Sequence, residues 1–99
     1  MHVIADICIV PMGVGASVST YVTTAYGILR AAGLNATLHA YGTNVEGSYE
    51  DVMAALKRCH EALHAAGAPR LSTTIRLGTR VDKSQTMADK VRVVVEAAT

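Results

Sequence analysis

Leu34-Asn35-Ala36-Thr37-Leu38-His39-Ala40-Tyr41-Gly42-Thr43-Asn44-Val45-Glu46-Gly47 is the stretch on which the fold turns. Leu34, Ala36, Leu38 and Ala40 alternate with Asn35, Thr37, His39 and Tyr41, the period of a strand over 34–41. Tyr41-Gly42 reads as a turn, and a second strand follows over 43–47. Asn44 and Glu46, two apart, share one face of that strand, with Thr43 at its entry. A hydroxyl, an amide and a carboxylate within four residues can converge on a small ligand. The same residues also suit a hairpin whose polar side meets only water.

Working outward, residues 3–10 form a β-branched run with Val3, Ala5, Ile7 and Ile9 on one face and Ile4, Asp6, Cys8 and Val10 on the other. Pro11 and Gly13 are expected to end it. After a glycine-containing loop, Val18, Val22, Ala25, Leu29 and Ala32 repeat at helical spacing until Gly33. Downstream of the hairpin, Ser48 and Asp51 suggest a capping box for a second helix with Val52, Leu56, Cys59, Leu63 and Ala66 inside. A strand over 69–78 places Leu71, Thr73, Ile75 and Leu77 against Ser72, Thr74 and Arg76. Thr86 and Asp89 open a last helix with Met87, Val91, Val94, Val95 and Ala98 expected inside. The order β-α-β-β-α-β-α predicts a single α+β domain over 1–99, a ferredoxin-like sandwich with an extra C-terminal helix.

Two helices cover one face of such a sheet. The other face carries Asp6, Thr37, His39, Tyr41, Asn44, Glu46 and Arg76 among Ile4, Cys8 and Val10, too polar for a core and too apolar for bare water. A ligand or a second subunit is expected there, with Asp6 and Arg76 on adjacent strands able to pair. The composition agrees: 51% hydrophobic and only 17% charged residues, in a chain of 99, leave a surface poor in charge. The net charge of +1 with no basic run disfavours nucleic acid. No segment is long enough to span a membrane. The first dozen residues carry Asp6 and no basic leader, so they read as strand and not as signal peptide. Cys8 and Cys59 lack metal-type spacing and are expected reduced, in the cytoplasm.

His60-Glu61-Ala62-Leu63-His64 matches the H-E-x-x-H zinc-hydrolase pattern. Leu56, Cys59 and Leu63 define the buried stripe, which leaves His60 at its edge and His64 toward solvent, and a chain this short leaves little room for a third ligand and a cleft. Gly13-Val14-Gly15-Ala16-Ser17 offers backbone N–H groups before a helix, without the lysine of a P-loop. The competing reading is a connection with Ser17 or Ser19 as N-cap.

Taken in order, Val10-Pro11-Met12-Gly13, Ser17-Val18-Ser19 with Tyr21-Val22, Gly42-Thr43-Asn44-Val45-Glu46-Gly47, His60, Ala66-Gly67 with Arg70, and Arg80-Val81-Asp82-Lys83 leading to Thr86-Met87 and Lys90-Val91 resemble the thiamine-binding, YkoF-like family. The resemblance is collinear over nearly the whole chain. It implies a ferredoxin-like fold, dimers assembling into homotetramers, and non-catalytic binding of thiamine or its hydroxymethylpyrimidine half. The residues it carries over are Ser17, Ser19, Thr43, Asn44 and Glu46, with no cofactor and no metal. Carboxylate, amide and hydroxyl groups suit an aminopyrimidine, Tyr21, Tyr26 and Tyr41 are aromatic candidates for a thiazolium, and Ile9, Met12 and Val45 are candidate apolar walls. The alternatives are a structural or regulatory assembly unit without a small ligand, and a zinc hydrolase through His60 and His64.

Overall fold

Alternation sorts the first strand: Val3, Ala5 and Ile7 are buried, while Ile4, Asp6 and Cys8 between them are half-buried. The computed structural model describes residues 1–99. Its elements are β1 (His2–Met12), α1 (Ser19–Ala31), β2 (Asn35–His39), β3 (Gly42–Ser48), α2 (Tyr49–Ala65), β4 (Arg70–Thr79) and α3 (Met87–Ala98). The strands stand in the order β2-β3-β1-β4 with every neighbouring pair antiparallel. Each crossover through α1 or α2 skips one intervening strand, which makes this the expected ferredoxin-like α+β sandwich.

One face of the sheet closes on α1 and α2. Val3, Ala5, Ile7 and Val45 meet Ala25 and Leu29 of α1 and Val52, Ala55, Cys59 and Leu63 of α2. Past Ile7, β1 pairs with β4 alone, so Pro11 lies where one edge of the strand is unpaired, and the strand continues through it. The Ser48 hydroxyl accepts the Asp51 N–H at 3.1 Å to cap α2, and Thr86 and Asp89 form a complete capping box on α3. Helix α1 departs from expectation. Val18 occupies its cap position without a side-chain bond, because Ser17 falls one residue outside and Ser19 one inside.

The hairpin turn also differs. Register pairs His39 with Gly42, so Ala40 and Tyr41 make the turn and Gly42 is the first residue of β3. Its φ is not positive. What requires glycine is close approach: a Cβ at position 42 would lie 2.6 Å from the Ile7 carbonyl oxygen.

The last helix corrects the sequence expectation most. No residue of α3 is buried, and Val91, Val94 and Val95, expected inside, are 63%, 67% and 55% exposed. Periodicity identifies an apolar face but not what covers it, and the core is already closed by α1 and α2. Helix α3 therefore stands off the body. The radius of gyration is 14.6 Å with extents of 43 × 31 × 20 Å, against about 13 Å for a compact chain of this length.

Gly42→Ala is expected to destabilise the fold by about 1–3 kcal/mol, through displacement of β3 from the Ile7 carbonyl. Urea unfolding checks it. Unchanged stability would mean that the two backbones can separate freely at this point.

Candidate functional site

The open sheet face gathers three polar side chains from three strands. Asp6 on β1 faces Asn44 on β3, and Asn44 faces Thr37 on β2, two residues before His39. The Asn44 amide donates to Asp6 Oδ1 at 3.3 Å, and His39 Nε2 lies 2.6 Å from the same oxygen. The Tyr41 N–H donates to His39 Nδ1 at 3.2 Å. A backbone N–H can only donate, so Nδ1 is the bare nitrogen and the Nε2 proton points at Asp6. With both ring nitrogens engaged, His39 has none free to take a proton from a substrate. Asp6 Oδ2 has no protein donor and remains open as an acceptor. The expected Asp6–Arg76 ion pair is not formed. The two residues are register partners, but Asp6 is held by His39 and Asn44 and Arg76 stays exposed.

Glu46, on the same face, is 7% exposed. Its carboxylate accepts from Asn35 Nδ2 at 2.7 Å and from the Met87 backbone N–H at 2.9 Å, with His2 Nε2 at 3.5 Å. Met87 is the first residue of α3, so Glu46 satisfies one of the N–H groups that a helix start leaves without an internal partner. The Asp89 carboxylate satisfies the Thr86 N–H at 3.0 Å. Together they pin the start of α3 to the sheet while the rest of the helix projects away.

Between this pinned end and the sheet runs a groove of about 990 Å³. Ile4, Asp6 and Asn44 form part of its floor, Arg76 and Lys83 come from β4 and the loop after it, and Lys90 and Val91 come from α3. A second, apolar cleft of about 260 Å³ lies at the other end of β1, between Ile7, Ile9, Val18, Val22 and the hairpin. His39 lines the cleft and Asp6 the groove, so their bond separates the two.

The five residues carried over from the sequence are thus divided. Asn44 lines the groove, and Glu46 anchors the helix beside it. Thr43 is the register partner of Ile7, which puts it on the helix-covered face, 6% exposed, and it borders the cleft. Ser17 and Ser19 flank Val18 at the cleft end. From Ile4, the register partner of Glu46, to the end of β1 the strand rises about 26 Å, so these serines lie far from Glu46 within one chain. Val45, a candidate wall, is fully buried in the core instead. Tyr26 lies under the Arg30 guanidinium, 5.6 Å from its ring centroid, Tyr21 packs on the core, and Tyr41 is exposed at the turn. None of the three lines the groove. Asp6 and His39 were legible as open-face residues, but nothing in the sequence joined them. Lys83 and Lys90 stood out only within the segments that carry the family resemblance and not as groove residues, because the loop after β4 and the start of α3 bring them to the sheet.

The H-E-x-x-H histidines are engaged locally. His60 Nε2 lies 2.6 Å from the Thr73 hydroxyl, and His64 Nδ1 donates to the Ala68 carbonyl at 2.8 Å. No group of three or more His, Cys, Asp or Glu side chains is placed to hold a metal. Both cysteines are free, and burial pushes the Cys59 thiol up to about 11, away from thiolate reactivity.

Comparison with known proteins agrees with this architecture. A family model described as "Thiamine-binding protein" matches residues 5–95. UPF0045 protein sll0230 of Synechocystis is 55% identical over 94 residues, which cover 95% of this chain and 78% of that one. UPF0045 protein ECM15 of Eremothecium gossypii is 45% identical over 95 residues, covering 95% and 90%. Among solved structures, hypothetical protein MJ1052 of Methanocaldococcus jannaschii superposes with a TM-score of 0.88 at 30% identity, covering 96% and 97%. TM0486 of Thermotoga maritima, a proposed thiamine biosynthesis/salvage protein, gives 0.82 at 20% identity, covering 95% and 99%, and at that distance it speaks for the fold alone. No helix is long and apolar enough to cross a membrane.

Glu46→Gln is expected to set an amide NH₂ against either Asn35 or the Met87 N–H, at a cost of about 1–3 kcal/mol. Hydrogen exchange should accelerate at the start of α3 and stay unchanged in β1. Equal protection in both proteins would remove Glu46 as the anchor. Acid acts on the same end. The Thr86 backbone N–H, then its hydroxyl and Arg92, hold the Asp89 carboxyl below its usual range. Its contribution is complete above the usual Asp value of about 3.9 and is lost as pH falls from there through the lowered folded value. Amide resonances of residues 86–90 should move toward random coil over that window, and native resonances persisting below it would contradict the role.

Proposed function

The chain belongs to the thiamine-binding protein family, and we propose that it is a non-catalytic binding protein for thiamine or its hydroxymethylpyrimidine half. The family match over residues 5–95 carries this reading. The groove supports it chemically. An aminopyrimidine offers an amino donor and ring-nitrogen acceptors. Asp6 Oδ2 is an acceptor without a protein donor, and Asn44 supplies an amide oxygen beside it. Glu46 acts as a positioning residue that sets the groove's upper wall. Thr43 borders the apolar cleft, Ser17 and Ser19 flank its lining residue Val18 in sequence, and all three join the site when a second subunit brings that end to another chain's groove. We assign no catalysis, a reading supported by His39, whose two ring nitrogens are both engaged beside the groove.

The working form in this reading is a homodimer paired into a homotetramer. Val91, Val94 and Val95 on α3, with Val10 and Leu38 on the sheet and hairpin, present apolar surface that a lone chain leaves in water. Free cysteines suit the reducing cytoplasm.

Calorimetry with thiamine and with hydroxymethylpyrimidine tests the ligand. Asp6→Asn is expected to weaken binding about tenfold or more by loss of a charge-assisted hydrogen bond. Equal affinities in two folded proteins would take Asp6 out of the site, and no binding by wild type would end the thiamine reading. Light scattering tests the assembly. A mass about four times the chain's 10.4 kDa is expected, Val94→Asp should lower it, and a 10.4 kDa species at micromolar concentration would contradict assembly.

A further inference from the structure

Of the nine Lys and Arg residues in the chain, four line the groove: Arg76, Arg80, Lys83 and Lys90. Of its eight Asp and Glu residues, only Asp6 does. The imbalance is sharp in a chain of net charge +1. Arg80 is committed, with Nε and one terminal nitrogen donating to the two Asp82 oxygens at 2.6 and 2.8 Å and the other terminal nitrogen to Gln85 at 2.7 Å. Arg76, Lys83 and Lys90 have no acidic partner within ion-pair distance. Arg76 stands beside Asp6 in register and still does not pair with it. The other carboxylates near this end are already engaged: Glu46 is buried and turned to Asn35 and the Met87 N–H, both Asp82 oxygens accept from Arg80, and Asp89 is taken by the Thr86 N–H and Arg92.

Three unpaired cations from three segments therefore meet across one concavity: Arg76 from β4, Lys83 from the following loop, Lys90 from α3. A neutral or cationic heterocycle gives them nothing to bind, and a thiazolium would be repelled. A phosphate group matches them. It offers three acceptor oxygens, and guanidinium and ammonium groups are the side chains that hold such oxygens with charge-assisted hydrogen bonds.

We propose that the groove takes the ligand as a phosphate ester, with the heterocycle toward Asp6 and Asn44 and the phosphate between Arg76, Lys83 and Lys90. The proposal rests on the thiamine reading and narrows it to the phosphorylated class. Phosphate specificity comes from the arm that Glu46 fixes over the sheet, since Lys90 is positioned only through the anchored start of α3.

Calorimetry with thiamine, thiamine monophosphate and inorganic phosphate, at low and high potassium chloride, tests it. Wild type should prefer the monophosphate over thiamine by about tenfold or more, and the preference should shrink with salt. In Arg76→Gln/Lys90→Gln, and separately in Lys83→Gln, the ratio of the two affinities should fall toward one. Thiamine and its monophosphate bound equally well by wild type would overturn the phosphate assignment and leave the thiamine reading standing. A preference that survives in both variants would also overturn it. Inorganic phosphate binding as tightly as the ester would reduce the groove to an anion site and overturn the ester. Binding of none of the three would overturn both readings together.

Discussion

A buried carboxylate must be compensated, and the way Glu46 is compensated decides where the C-terminal helix begins. Its oxygens are taken by Asn35 from the edge strand and by the first N–H of α3. An ionised group at 7% exposure without such donors would cost several kcal/mol. Satisfying it with a helix N-terminus ties the sheet to an element that otherwise has no buried residue. The groove, its cations and the exposed apolar side of α3 all follow from this attachment. Remove it and the chain still has its two-layer core, but the open face loses its wall.

The sandwich itself was written in local pattern. Alternation in β1 and in the central hairpin, the helical stripe of Val52, Cys59 and Leu63, and the Ser48 and Thr86 caps each depend on neighbours within a turn or a strand, so each is readable from a window of sequence. The misreadings have a common cause in contacts between distant segments. Gly42 looks like a turn glycine but is required by the carbonyl of Ile7, thirty-five residues earlier. Val91 and Val95 form a proper helical stripe, but their burial depends on whether another surface exists to receive it.

The site was legible as a face and not as a cluster. Asn44 and Glu46 do share the open side, as their spacing requires, yet they do different work: one lines the groove and the other locks a helix. Thr43 follows the same rule to the opposite outcome, since a residue one position away must point to the other face. Asp6 was visible as an acid within an apolar strand, but its partner His39 comes from two strands away, and Lys90 arrives from a helix whose direction no local pattern encodes.

The groove between the sheet and α3 is where the proposed thiamine-type ligand is expected to sit. Backbone amide shifts recorded while thiamine monophosphate is titrated into isotope-labelled protein test this most directly. The largest changes are expected at Ile4, Asp6, Asn44 and Arg76 and across Met87–Val91, the floor and wall of the groove. Changes confined to Val18, Val22 and the hairpin at Tyr41, with the groove silent, would place the ligand in the apolar cleft and contradict the account.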